Sequence, residues 1–331
     1  MSLLSSTRTP HYKRPERRSS RRTPWLGVDV GPHSVKLAVA KLDQRGFWCL
    51  DYTQRIPWQK DAEPFASAEH FGKALYEVLR QSQSGWRARG LTQAAFSLPE
   101  TAVSSEDLAI ETEDLATVQT AADQTIRQLY GGRPDKLAFD VWNPVPVEGS
   151  FADPPAAQLL WAEPEVVKSC MQAFRNCRLT AEVLDVAPLT TARASEMLTG
   201  SCDSELMIDW GSNRLTLTWI LDGQPRFTRF SIRGGGEELV QSVCDSHRFS
   251  PEEAELLLAR YGLPGQNTSG FNRMIEKAAA DSLDVLLEEI DCTLTYLKSR
   301  YPRQPIDRII LSGGGGSDSQ PRLLAVIADG T

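Results

Sequence analysis

Apolar and polar residues alternate from Trp25 to Ala40, and a Gly-Pro turn at residues 31–33 interrupts the alternation. A period of two is typical of a strand with one buried face, so this stretch predicts a β-hairpin. The run from Phe47 to Ile56 would add a third strand. A helix follows, because Ser67 is a favourable N-cap and the next apolar residues recur on one helical face.

The pattern changes between Pro99 and Glu182, where strands and helices surround a proline-rich segment. The stretch "NPVPVEGSFADPP" holds four prolines and predicts a loop. Helical periodicity covers residues 115–130 and 165–176, with strand-like runs between them. We interpret residues 99–182 as a small α+β subdomain inserted into a first half that comprises residues 25–98 and 183–200.

The second half, residues 201–331, begins like the first. Its stretch "LMIDWGSNRLTL" repeats the features of "LGVDVGPHSVKL": an apolar run, an aspartate, a glycine, small polar residues and a second run. Beyond this repeat, Gly234–Gly236 precedes a helix, and Ser250 with Glu253 forms a capping box at the start of another. A long helix over 272–300, the strand in "DRIILSGGGG" and a closing helix in "PRLLAVIA" complete the prediction.

Each of the repeated turns combines parts that suit a phosphate. A tight turn presents backbone N–H groups, and glycine lets an anion approach them closely. Asp29 and Asp209 end their strands, where a carboxylate can hold the waters of a Mg²⁺ ion. One D-x-G turn alone is as easily a plain hairpin, but two in corresponding places favour a nucleotide site. The late Gly313–Gly316 turn would permit close approach of a flat ligand such as adenine.

Charge divides the chain into a basic start and an acidic body. Residues 1–24 carry seven basic residues and one acidic residue, a balance of +6, which leaves −13 for the rest of a chain of net charge −7. We interpret 1–24 as a disordered basic tail, either solubilising or attracted to anionic lipid or nucleic acid. The acidic body argues against specific nucleic-acid binding.

The six cysteines are scattered without a C-x-x-C pair, and the chain has four histidines. This usage disfavours a zinc site or a disulfide framework and is typical of a reducing compartment. No apolar run approaches the roughly 20 residues that cross a bilayer.

The order of two D-x-G hairpins followed by a late glycine-rich turn resembles the actin-like ATPase superfamily. More narrowly, the chain resembles the PilM family of type IV pilus assembly proteins, which is related to FtsA. Besides the two turns, the stretches "AEVLDVAPLTTARA", "FSPEEAELLL" and "IDRIILSGGGG" carry this resemblance. It implies an α/β actin-like ATPase fold, with two related α/β halves around a nucleotide cleft and an α+β insertion in the first half.

The resemblance also implies a set of ligand-binding residues for ATP and Mg²⁺. Asp29 and Asp209 would hold the metal through water. Lys36 would reach the β-phosphate as a point charge, although a solvated strand lysine is the alternative. The remaining nucleotide-binding residues that it implies are Gly31, Ser34, Gly211, Ser212 and Asn213 around the phosphates, Gly234 and Gly235 beside the ribose, and Gly314 and Gly315 against the adenosine.

By the same resemblance, the protein would work in the cytoplasm at the inner face of the inner membrane. It would recruit a PilN-like inner-membrane protein through that protein's short cytoplasmic tail; self-association stays open. Pro32 lacks an N–H, and Ala187 stands where the family often has a glutamate, which favours a nucleotide binder or at most a slow ATPase. The alternatives are a nucleotide-free actin-like scaffold and a small-molecule kinase with Asp185 as its candidate base.

Overall fold

The described part of the chain forms two compact units. The computed structural model describes residues 24–44, 48–59, 63–98, 102–108, 115–130, 138–142, 157–261, 270–313 and 324–326. Described residues up to Thr190 belong to the first unit and those from Thr191 onward to the second. The predicted tail, residues 1–24, lies outside the described residues except for Pro24. Among the described helices, none combines the length and the hydropathy needed to cross a bilayer.

The first unit contains eight strands and four helices within its described residues, and a fifth helix begins there. They are β1 (Leu26–Val30), β2 (Ser34–Leu42), β3 (Trp48–Pro57), α1 (Ala68–Gln81), α2 (Gln83–Arg87), β4 (Gln93–Leu98), β5 (Val103–Leu108), α3 (Leu115–Tyr130), β6 (Ala138–Trp142), β7 (Ala157–Ala162), α4 (Pro164–Asn176), β8 (Thr180–Val186) and α5 (Ala187–Thr199).

A five-stranded sheet of order β3-β2-β1-β4-β8 forms the centre of this unit. The first three strands pair antiparallel, whereas β4 and β8 join parallel to β1 and to each other. Leu26, Val28 and Val30 alternate with less buried residues along β1 and pack in one core with α1 and α4. The predicted N-cap of α1 is confirmed, because the Ser67 hydroxyl accepts from the His70 N–H at 3.2 Å.

A second, three-stranded antiparallel sheet of order β5-β7-β6 lies in the predicted insertion. Helix α3 packs Val118, Ala122 and Ile126 against Leu159 of this sheet. The strands and helices predicted here are present, and the boundaries 99–182 stay a prediction.

The second unit repeats the arrangement of four of the five strands in the central sheet of the first. Its elements are β9 (Ser204–Trp210), β10 (Leu215–Leu221), β11 (Gln224–Ser231), α6 (Gly236–His247), α7 (Pro251–Tyr261), α8 (Gly270–Arg300), β12 (Arg308–Ser312) and β13 (Leu324–Val326). The sheet order is β11-β10-β9-β12-β13, with an antiparallel meander and β12 parallel to β9. Its fifth strand, β13, is antiparallel to its neighbour, whereas the corresponding β8 is parallel. The predicted capping box of α7 is confirmed: the Glu253 N–H donates to Ser250 Oγ at 3.2 Å, and the Ser250 N–H donates to Glu253 Oε2 at 2.8 Å.

Three elements differ from the sequence prediction, and one of them is the short helix α2, which was not predicted. The closing helix expected in "PRLLAVIA" is wrong over residues 324–326, which form β13 instead and pair antiparallel with β12. A short apolar run fits either element, and here the edge of β12 satisfies its backbone groups. Helix α5 was not predicted, because its sequence "APLTTARASEMLT" contains three threonines and has a weak apolar periodicity.

Candidate functional site

The first D-x-G turn joins β1 to β2 and places charged groups in one row of the sheet. Asp29 lies opposite Lys36 on β2 and opposite Ser97 on β4. Lys36 Nζ is 3.0 Å from Asp29 Oδ2, and both side chains are about half exposed. The turn is closed by Gly31, whose N–H donates to the Ser34 carbonyl at 3.0 Å. Directly opposite residues of neighbouring strands share a face, so Asp29, Lys36 and Ser97 project from the same side of the sheet.

The second D-x-G turn joins β9 to β10 and has the same register. Asp209 lies opposite Thr216 on β10 and opposite Ser312 on β12. Gly211 closes this turn as Gly31 closes the first, because its N–H donates to the Arg214 carbonyl at 3.0 Å. The repeat seen in the sequence is therefore a repeat of strand pairing as well as of residue types.

The two turns differ in the N–H groups that they could offer to an anion. The glycine N–H is already bonded in both turns, to the Ser34 carbonyl in the first and to the Arg214 carbonyl in the second, but Pro32 of the first turn has no N–H. In the second, the N–H groups of Ser212 and Asn213 donate no hydrogen bond to any described residue. The second turn is therefore the richer source of backbone donors for a phosphate.

Helix α6 begins directly on the second turn. The N–H groups of Gly236 and Glu237 donate to the carbonyls of Gly211 and Ser212 at 3.0 and 2.7 Å. A Cβ on Gly235 would lie 2.6 Å from the Ser212 carbonyl oxygen, so a side chain there would force the turn and the helix apart. The predicted residues Gly211, Ser212 and Gly235 are thus brought together by the structure.

Trp210, the residue after Asp209, fastens the same region from the sheet. Its indole N–H donates to the Gly234 carbonyl at 2.8 Å, and its ring is buried. Gly313, at the end of β12, has a positive φ of 108°, and a Cβ there would overlap the backbone of Trp210. The predicted adenosine-contacting residues Gly314 and Gly315 follow immediately and lie outside the described residues.

The charges at the second turn suit a phosphate that carries a cation. Ser212 Oγ lies 3.3 Å from a carboxylate oxygen of Glu237, and the carboxylate of Glu238 accepts from the Gly234 N–H at 2.9 Å. These carboxylates repel a bare phosphate, and a divalent ion offsets that repulsion. No group of three or more metal-ligating side chains occurs among the described residues. Mg²⁺ keeps several waters when one or two carboxylates bind it, so a single aspartate such as Asp29 or Asp209 could hold this ion.

Sequence reasoning did not identify Ser97 or Ser312, or the two hydrogen bonds that Trp58 donates to the carbonyls of the first turn. Ser97 follows an aromatic residue near the end of β4, and Ser312 follows three apolar residues at the end of β12. A polar residue near the end of a parallel strand is the signal that could have identified both serines. Asp185 also belongs to this row, because it lies opposite Ser97 on β8. It is 5% exposed, and its Oδ1 accepts from the Val186 N–H at 2.8 Å.

Two sheets of matching strand order, each with a D-x-G turn between its antiparallel strands, define the actin-like ATPase fold. Within that class, the family model of the type IV pilus assembly protein PilM matches residues 27–329. The chain belongs to this family. No curated protein sequence matches it.

The chain is similar to several solved structures. A chain of the PilM-PilN type IV pilus biogenesis complex is 18% identical with a TM-score of 0.62, over 88% of this chain and 81% of that one. The ethanolamine utilization protein EutJ from Carboxydothermus hydrogenoformans is 15% identical with a TM-score of 0.49, over 88% and 76%. MreB 5 of Spiroplasma citri, bound to AMPPNP, is 12% identical with a TM-score of 0.43, over 89% and 86%.

Proposed function

We propose that this chain is a cytoplasmic Mg-ATP-binding assembly protein of a type IV pilus or a related inner-membrane secretion machine. It works at the inner face of the inner membrane and recruits a PilN-like protein through that protein's short cytoplasmic tail. The observation that carries the nucleotide proposal is the matched register of the two turns, which gives Asp29 and Asp209 equivalent positions. A plain hairpin needs neither an aspartate nor a glycine at these positions, so the presence of both in each of the two turns favours a ligand site.

The roles of the site residues follow from their chemistry. Asp29 and Asp209 hold the metal through water, and Lys36 adds a positive charge at the first turn. The N–H groups of Ser212 and Asn213 bind phosphate oxygens. When bound, Mg²⁺ neutralises charge on the phosphate oxygens. The other phosphate residues are Gly31, Ser34 and Gly211; Gly234 and Gly235 contact the ribose, and Gly314 and Gly315 the adenosine.

Hydrolysis is at most slow in this proposal. The first turn offers no N–H at Gly31 or Pro32 for a developing charge, because one is bonded and the other is absent. The helix after β8 begins with Ala187, which has no group that could orient a water molecule. We therefore expect the protein to act through nucleotide binding, with hydrolysis that is at most slow.

A fluorescent ATP analogue titrated into the protein with Mg²⁺, and again with EDTA, tests the nucleotide proposal. We expect saturable binding that needs Mg²⁺ and is weakened at least tenfold in Asp209→Asn. Asp291→Asn, an exposed aspartate on α8, is the matched control and should bind like the wild type. Equal binding by Asp209→Asn, or binding insensitive to EDTA, would contradict the proposal.

A nucleotide-free scaffold is the second candidate, and the scarcity of N–H donors at the first turn favours it. This scaffold would show no saturable binding of the fluorescent ATP analogue at millimolar concentration, and it would still recruit the PilN-like protein.

The partner proposal rests on membership of the PilM family and on similarity to a chain of a PilM-PilN complex. A labelled peptide with the sequence of a PilN-like cytoplasmic tail should bind this chain, whereas a scrambled peptide should not. Fluorescence anisotropy measures both. Equal anisotropy changes with the two peptides would remove the partner proposal and leave the nucleotide proposal untouched.

A further inference from the structure

Trp58, directly after β3, makes two hydrogen bonds to the first D-x-G turn. Its backbone N–H donates to the His33 carbonyl at 3.0 Å, and its indole N–H donates to the Gly31 carbonyl at 3.0 Å. One residue therefore holds the carbonyls on both sides of Pro32. These bonds involve the peptide groups that a phosphate at this turn would meet.

Holding the carbonyls has an electrostatic consequence. In a planar trans peptide the C=O and the N–H point in opposite directions, so fixing the His33 carbonyl toward Trp58 points the Ser34 N–H away from it. The carbonyl oxygens of Gly31 and His33, with their partial negative charges, point toward the side of the turn on which Trp58 lies. The opposite side of the turn is left the more favourable for an anion.

Arg55 acts on the same turn through Ser34. Its Nε–H donates to Ser34 Oγ at 3.1 Å, and Ser34 is 4% exposed. A hydroxyl that accepts one bond keeps its own hydrogen to donate, so this bond orients Ser34 as a donor. Arg55 also lies directly opposite Lys36, which lies opposite Asp29, so the row carries two positive charges and one negative.

The second turn shares one part of this arrangement, built from a different element. The carbonyl of Gly211, which corresponds to Gly31, accepts from the Gly236 N–H at 3.0 Å, and the next carbonyl, Ser212, accepts from Glu237. Both turns thus have their glycine carbonyl held by an N–H donor, although one donor is an indole and the other is the start of a helix. Two unrelated elements holding the equivalent atom point to a shared requirement of the turn.

We propose that Trp58 and Arg55 are positioning residues that orient the first turn for a polyphosphate and offset the missing N–H of Pro32. This inference rests on the proposed nucleotide function. It adds that the affinity of the first turn for a nucleotide depends on Arg55 and Trp58 at the end of β3. This dependence should appear only for ligands that carry phosphates. A ligand without phosphates gains nothing from the oriented turn.

The alternative role of Trp58 is packing alone. Its ring contacts Phe65 and Phe71, with ring centroids 6.2 and 6.5 Å apart in edge-on geometry. Trp58→Phe retains an aromatic ring and the backbone N–H but removes the indole N–H. Trp86→Phe is the matched control, since Trp86 is buried and its indole N–H has no hydrogen-bond partner in the described structure.

The test is a comparison of Mg-ATP and adenosine affinities by competition against the fluorescent analogue. The loss of one neutral hydrogen bond corresponds to about a fivefold change in an equilibrium constant. We expect Trp58→Phe to weaken Mg-ATP about fivefold, Arg55→Gln to weaken it about tenfold, and both to leave adenosine within twofold of the wild type. Trp86→Phe should leave both ligands unchanged.

The outcomes separate this inference from the function on which it rests. Wild-type affinity for Mg-ATP in both Trp58→Phe and Arg55→Gln would overturn the inference and leave nucleotide binding in place. An equal loss of affinity for Mg-ATP and for adenosine would also overturn the inference, because a loss of packing alone would then explain the weaker binding. Absence of binding in the wild type would remove the proposed function and the inference together. Arg55 is exposed, so Arg55→Gln supplies a folded variant even if Trp58→Phe unfolds.

Discussion

Lys36 Nζ lies 3.0 Å from Asp29 Oδ2, and the two residues face each other directly across β1 and β2. The proposed phosphate contact and the proposed metal-holding carboxylate are therefore neighbours on one face of the sheet. A half-exposed ion pair contributes at most about 1 kcal/mol to stability, so its role should appear in binding rather than in folding.

Lys36→Gln should weaken Mg-ATP about tenfold and change the free energy of unfolding by less than about 1 kcal/mol. The lost interaction is a charge on the phosphates, whereas the strand itself keeps its backbone pairing. Analogue titration and urea denaturation measure the two quantities. A large loss of stability with unchanged affinity would show that the lysine is structural.

Gly235→Ala should destabilise the second unit by about 1–3 kcal/mol, because the new Cβ would lie 2.6 Å from the Ser212 carbonyl and 2.9 Å from the Arg214 nitrogen. The displaced turn should also bind the analogue more weakly. Gly27→Ala is the control, since a Cβ there meets only the Ala38 carbonyl at 3.4 Å, an ordinary contact. Similar unfolding midpoints for the two variants would contradict the close approach of α6 to the turn.

Pro32→Ala should tighten Mg-ATP about fivefold, because it restores one backbone N–H to the first turn. Single-turnover measurements would show whether hydrolysis rises with it. An unchanged affinity would mean that residue 32 does not face the phosphates, and the first turn would lose its proposed role.

The Asp51 carboxylate accepts from Lys41 Nζ and from Arg89 Nε, and these bonds, with Lys41 first, hold the pKa of Asp51 below its ordinary value. A carboxyl with a lowered pKa in the folded state stabilises the fold above its unfolded pKa, and this contribution is lost as the pH falls through the folded pKa. Asp51→Asn should therefore be less stable than the wild type at pH 7, with a difference that narrows in acid. Denaturation at several pH values measures it, and a pH-independent difference would exclude the ionic contribution.

Features that depend on neighbouring residues could be predicted from the sequence. The hairpin at Gly31, the N-cap at Ser67 and the capping box at Ser250 each arise within a few positions, so residue type and spacing were sufficient. The D-x-G repeat identified both turns for the same reason.

Features that depend on distant pairing could not be predicted. Ser97 lies opposite Asp29 only because β4 joins β1 in parallel, and the register of that pairing is set by the whole sheet. The bonds from Trp58 to the first turn likewise need β3 to lie beside β2. Strand β13 was predicted as helix because its partner, the edge of β12, is a tertiary feature.

The proposed function requires that the chain binds Mg-ATP and that Asp29 and Asp209 each contribute to its affinity. Isothermal titration calorimetry of Mg-ATP into the wild type, Asp29→Asn and Asp209→Asn measures these contributions. We predict one nucleotide per wild-type chain and a loss of affinity of at least tenfold in each variant. Wild-type affinity retained in both variants, or no binding to the wild-type chain, would exclude the proposed nucleotide function.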